Sequence, residues 1–156
     1  VTYYEVKEAE LVPAYDGSDT LVMKSLGGND VHGLYGAGGW VASPVELLKL
    51  VSAINKCPIR EDFLTPESID FMTPNGKNAK PAGWASSSSK FWLRSGSMSG
   101  TSALIKAQKD GYSWVFISNS SSWNGPGLAR QMNREITQAL RKVKKWPEAD
   151  YFALQP

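Results

Sequence analysis

Apolar and polar positions along this chain change their period twice, and the changes mark out its elements. Residues 2 to 15, Thr-Tyr-Tyr-Glu-Val-Lys-Glu-Ala-Glu-Leu-Val-Pro-Ala-Tyr, are rich in aromatic and β-branched types and lack helical apolar spacing, which predicts one or two short strands. Asp16-Gly17-Ser18-Asp19 then makes a turn. Between Gly27 and Gly39 six of thirteen residues are glycine, too flexible for a helix interior, so the segment is expected as an ordered loop whose backbone passes close to something else.

At Ser43 the period becomes helical. Ser43-Pro44-Val45-Glu46 is a capping box with proline at the first helical position, and Val45, Leu47, Leu48, Val51 and Ile54 follow at helical spacing, predicting a helix over about 44–55. Thr65-Pro66-Glu67 repeats the start signal, and Ile69 with Met72 gives a second, short helix ended before Pro74. Asn75 to Lys80 is a turn-rich surface loop. From Lys90 the period becomes that of strands: residues 91 to 122 read as three strands joined by two tight turns, with the polar Arg94-Ser95-Gly96 step ending the first. Trp114-Val115-Phe116-Ile117 is apolar on both faces, which predicts an interior strand covered on both sides. After Asn124-Gly125-Pro126-Gly127 an amphipathic helix is expected to about Lys145. Leu128, Met132, Ile136, Leu140 and Val143 form its stripe, and Arg141, Lys142, Lys144 and Lys145 offset the dipole at its end. Trp40, Trp84, Trp92 and Trp123 could line a groove, but core is the simpler assignment for most of them.

A chain of 156 residues has the length of one domain. Its 17 basic and 15 acidic residues leave a net charge of +2, without the basic excess that holds phosphate backbones, so nucleic acid is not an expected partner. The single cysteine, Cys57, excludes an internal disulfide, and no apolar run reaches the length of a membrane span. The first residue is Val rather than Met, which predicts a chain cut from something longer and also suits a removed signal peptide.

Several short motifs occur in a meaningful order. Gly38-Gly39-Trp40-Val41-Ala42-Ser43 precedes the capped helix and Gly83-Trp84 precedes a strand. Arg94-Ser95-Gly96-Ser97-Met98-Ser99-Gly100-Thr101-Ser102 and Asp110-Gly111-Tyr112-Ser113-Trp114-Val115-Phe116-Ile117-Ser118-Asn119 follow. Over roughly residues 35 to 145 this order resembles the C-terminal part of class C type β-lactamase-related and penicillin-binding-protein-like serine hydrolases. The resemblance implies an α+β fold: three C-terminal antiparallel strands packed by a C-terminal amphipathic helix, plus part of a helical lobe. Residues 1–89 would be the loop and helical-lobe part, 90–146 the strands and helix, and 147–156 a tail. In that family a strand bearing Lys or His, then Thr or Ser, then Gly borders the active site. Arg94, Ser95 and Gly96 match these positions as substrate-binding residues. Arginine can clamp a carboxylate bidentately but holds its proton too firmly to act as a base. Ser97 follows the glycine and matches the backbone N–H that donates to the oxyanion. Gly96 would keep the strand bare for substrate, and Tyr35 is a candidate for the cleft wall.

The catalytic nucleophile is the missing part. The family carries it in Ser-x-x-Lys at a helix start, where one turn brings amine and hydroxyl together. The only match, Ser87-Ser88-Ser89-Lys90, leads into a strand and lies beside the third motif instead of far upstream, so it reads as coincidence. Ser122-Trp123-Asn124 matches the family's second motif but in the wrong order, and reads as a loop and helix cap. His32 is the only histidine, Cys57 has no evident base, and no metal-binding cluster, phosphate loop or cofactor motif is present.

The expectation is therefore a portion of an acyl-serine hydrolase acting on an amide, ester or β-lactam. Its partners would be a small-molecule or peptide substrate and the N-terminal portion of the same enzyme. The setting implied is periplasmic or extracellular, and alone the chain would be inactive. The strand at 113 to 119 would expose an unpaired edge open to self-association. The alternative is a non-catalytic module that uses the same sheet and cleft to bind a peptide or protein.

Overall fold

The computed structural model describes residues 1–58, 60–76, 78–109 and 112–149. They form an α+β fold with a two-stranded sheet, a four-stranded antiparallel sheet and three helices. In chain order these are β1 (Leu11–Pro13), β2 (Leu21–Met23), α1 (Pro44–Ser52), α2 (Pro66–Met72), β3 (Ser86–Ser87), β4 (Phe91–Met98), β5 (Thr101–Gln108), β6 (Ser113–Ser118) and α3 (Gly127–Leu140). The large sheet has the order β3-β4-β5-β6.

The β4–β5–β6 meander follows from the sequence pattern. Ser99 and Gly100 form a two-residue turn that sets Met98 opposite Thr101 and Trp92 opposite Ala107, and β6 pairs from Ala107↔Ser113 to Ser102↔Ser118. The second turn, with Asp110 and Gly111, lies outside the described residues. Partners across a ladder share a face, so the register assigns every side chain. Trp92, Ile105 and Ala107 face one side, where Val51 of α1 and Ile69 of α2 join them with Trp84 in one buried cluster. Leu93, Leu104, Trp114 and Phe116 face the other, under Ala129, Ile136 and Leu140 of α3. The capping box predicted at Ser43 is present: Ser43 Oγ accepts from Glu46 N at 3.2 Å, and Glu46 Oε2 accepts from Ser43 N at 2.6 Å.

The 2–15 stretch holds one short strand, β1, as expected, and a single parallel bridge, Tyr4 to Ser120; between them Ala9 N donates to Val6 O and turns the chain at Lys7 and Glu8. Four expectations change. The sheet has a fourth strand. Ser86–Ser87 lies in the part assigned to loop and helical lobe, yet β4 recruits it through Ala85 N to Leu93 O and Ser88 N to Phe91 O, pairing that no apolar period in a serine run announces. β6 is covered on both faces as predicted but is not interior: it forms the edge of the sheet. Among the described residues its outer backbone groups are bonded only at the bridge, where Tyr4 N donates to Asn119 O and Ser121 N to Tyr4 O. α1 ends at Ser52 and α3 at Leu140. Past Arg141 the bonds shorten to i→i−3, and Val143, 40 % exposed, offers nothing buried to hold another turn. Of the tryptophans, Trp84 and Trp92 are core, whereas Trp40 is 83 % and Trp123 73 % exposed. Among the described residues no helix is long and apolar enough to cross a membrane.

Candidate functional site

The open side of β4 is the most distinctive surface of the sheet. Two bonds fix the direction of its backbone groups: Lys109 N donates to Lys90 O across to β5, and Ala85 N donates to Leu93 O on the other side. By the alternation of an antiparallel ladder, Arg94, Gly96 and Met98 turn N–H and C=O toward β5, while Ser95 and Ser97 turn theirs outward. β3 reaches only to Leu93, so among the described residues nothing pairs with the edge at Ser95 and Ser97. Arg94, Ser95, Gly96 and Ser97 are all exposed, a four-residue opening in a strand whose first three residues are buried or half-buried.

The structure brings the predicted residues together in part. Ser95, Gly96 and Ser97 line a concavity of about 170 Å³ closed by Pro126 and Ala129 at the start of α3. Arg94 stands on the opposite face of the strand, across from Ile105, and makes no ion pair among the described residues. Between them a Cβ on Gly96 would meet no atom within 4 Å, so the edge is bare from either face. Tyr35 does not line the concavity. It is 53 % exposed, with its ring edge-on to His32 at 5.3 Å, in a loop that reaches the end of β4 where Gly38 approaches Met98 Sδ.

The two matches not taken as family motifs occupy structural roles. Ser87 Oγ donates to Pro74 O, and Ser88 Oγ accepts from Lys90 N and Phe91 N. Ser122-Trp123-Asn124 lies in the turns before α3, but it does not cap the helix. The capping position is Pro126, without a side-chain bond, and Asn124 Nδ2 instead donates to Gln131 Oε1 at 3.4 Å.

Compared with family models, curated proteins and solved structures, the chain matches none.

Two polar arrangements went unread in the sequence. A wider hollow of about 350 Å³ is lined by Tyr15, Asp16, Asn29 and His32 among apolar neighbours. At its rim Asp30 accepts from Gly33 N at 2.7 Å and from the Tyr15 hydroxyl. The Gly33 N–H first, then Tyr15 and the nearby His32, hold the Asp30 carboxyl below its ordinary range, and the carboxylate in turn raises the Tyr15 phenol. Asp30-Val31-His32-Gly33 carried half of this signal, but Tyr15 arrives from fifteen residues away. The second is Lys106, 7 % exposed beneath α3, its Nζ 5.0 Å from the Phe91 ring centroid and donating to Thr137 Oγ1 at 3.2 Å. Alternation alone places an apolar residue there. Among the described residues no group of three His, Cys, Asp or Glu could hold a metal ion.

Proposed function

We propose that this chain is the C-terminal portion of a serine hydrolase of the β-lactamase and penicillin-binding type. It would contribute the oxyanion donor and a carboxylate contact to an acyl-serine reaction whose hydroxyl is carried by other polypeptide. The observation that carries the reading is the orientation of Ser97: its N–H points out of a sheet edge unpaired among the described residues, beside a glycine and above a small concavity. A backbone donor fixed in a ladder and aimed at open space can meet a developing oxyanion without reorganising, an effect worth roughly 10²-fold or more in rate. Arg94, without a counter-charge among the described residues, supplies the neighbouring site for a carboxylate.

The amount of open surface supports the need for a further piece. A compact monomer of 17.1 kDa exposes about 7,700 Å², whereas this chain exposes 11193 Å². Even taken as wholly open, the eleven residues outside the described set account for about half of that excess. The remainder is of the order one partner buries in an obligate interface. Among the described residues more large apolar side chains are exposed than buried, Trp40, Phe63 and Phe71 among them.

A fluorescent penicillin or activated ester tests the reading. The chain alone is expected to remain unlabelled, and a complex with the polypeptide encoded upstream is expected to label on a Ser-x-x-Lys serine of that polypeptide. In the same complex Arg94→Ala should raise KM for carboxylate-bearing substrates about 10- to 100-fold, the loss of a hydrogen-bonded charge pair. Unchanged turnover and affinity would remove Arg94 from the site, and an upstream gene with no such serine would favour the non-catalytic binding module.

A further inference from the structure

We infer that the segment just past α3 is a contact surface for an anionic lipid bilayer. Arg141, Lys142, Lys144 and Lys145 are all exposed, and none is ion-paired among the described residues. The helix they were expected to terminate ends before them. α3 has no basic residue in its last turn, so compensation of the helix dipole accounts for Arg141 at most. The four cations exceed the net charge of the whole chain: +2 − 4 leaves −2 on everything else, so the charge is segregated to one end. Glu148 is the acid nearest to them in sequence among the described residues.

Apolar groups are interleaved with the cations. Val143 is 40 % and Trp146 41 % exposed, and the Trp146 indole stacks on Tyr112 with ring centroids 5.0 Å apart and planes at 29°. Trp and Tyr, with an apolar body and a polar tip, partition to the boundary between headgroups and acyl chains. Lysine and arginine next to them bind acidic headgroups. A phosphodiester backbone would satisfy the cations but leave Val143 and the indole uncovered. The inference does not depend on the serine-hydrolase reading, since the segment shares no residue with the β4 edge.

Sedimentation of the whole chain with vesicles of phosphatidylcholine alone, or of phosphatidylcholine with phosphatidylglycerol, tests it. Each cation near an anionic surface contributes about fivefold, so the anionic vesicles should be preferred by about 10²- to 10³-fold at low salt. High salt should erase the preference. The variant R141Q/K142Q/K144Q/K145Q should lose it with unchanged helix content, because all four residues lie outside α3. The variant R141K/K142R/K144R/K145R should keep it, and Trp146→Ala should weaken binding to the anionic vesicles without changing its salt dependence. Equal partition to both vesicles, undiminished binding by the glutamine variant, or displacement of the vesicles by duplex DNA of matched charge would overturn the inference.

Discussion

Single residues separate what holds the fold from what stands open, and two glycines of the same hairpin show the difference. Gly100 has φ 73°, and a Cβ on it would come within 2.9 Å of the Ser25 and Tyr3 Cβ atoms. Gly100→Ala is therefore expected to lower stability by more than about 1 kcal/mol, read as a shift of the urea midpoint. Gly96→Ala meets no neighbour and should leave that midpoint near the original, while narrowing the edge where substrate is proposed to lie. Equal midpoints for the two variants would contradict the clamp on the turn. Asp30 gives a pH-dependent prediction. Its carboxyl is depressed in the folded chain, so the order it confers on the 27–39 loop is present above the ordinary value of 3.8 and is lost as pH falls through the lower, folded value. Hydrogen exchange at the Gly33 amide should rise there, and Asp30→Asn should remove the transition.

At the scale of elements, legibility followed the strength of local signals. α1 and α2 were readable because the capping side chains of Ser43 and Thr65 sit within three residues of the N–H groups they bond. A tight turn between the first two long strands was readable from the glycines and serines of Gly96–Gly100, but its position was not: β4 runs on past Gly96 to Met98, and the two-residue loop Ser99-Gly100 fixes the register of all of β4 and β5. β3 was not, because a pair of serines becomes a strand only when Leu93 and Phe91 offer it backbone partners. The end of α3 was misjudged because Val143 continues the apolar stripe in sequence yet stays 40 % exposed in the fold. For the site, the order Arg94-Ser95-Gly96-Ser97 was visible. That Arg94 and the Ser95 and Ser97 side chains fall on opposite faces follows from the pleat, but the concavity depends on Pro126 and Ala129, which only the tertiary fold brings near.

At the scale of the whole molecule, β6 decides how the isolated chain behaves. Gln108 N donates to Tyr112 O, so by alternation Ser113, Val115 and Ile117 turn their N–H and C=O away from β5. The strand Ser-Trp-Val-Phe-Ile-Ser carries no charge, proline or bulge to protect that edge. Sedimentation velocity is expected to show concentration-dependent association. Ser113→Pro, which removes an outward N–H and no bond to β5, should reduce it with the sheet intact. A monomer at every concentration, with the Val115 amide resistant to exchange, would contradict the edge assignment.

The Tyr4–Ser120 bridge has a consequence for the order of assembly. The hairpins can zip up from their own turns, each residue adding to a ladder already begun, whereas the bridge joins ends separated by most of the chain and must await a loop closure of high entropic cost. The meander is thus free to form before the first residues dock, and those residues act as a latch closed last.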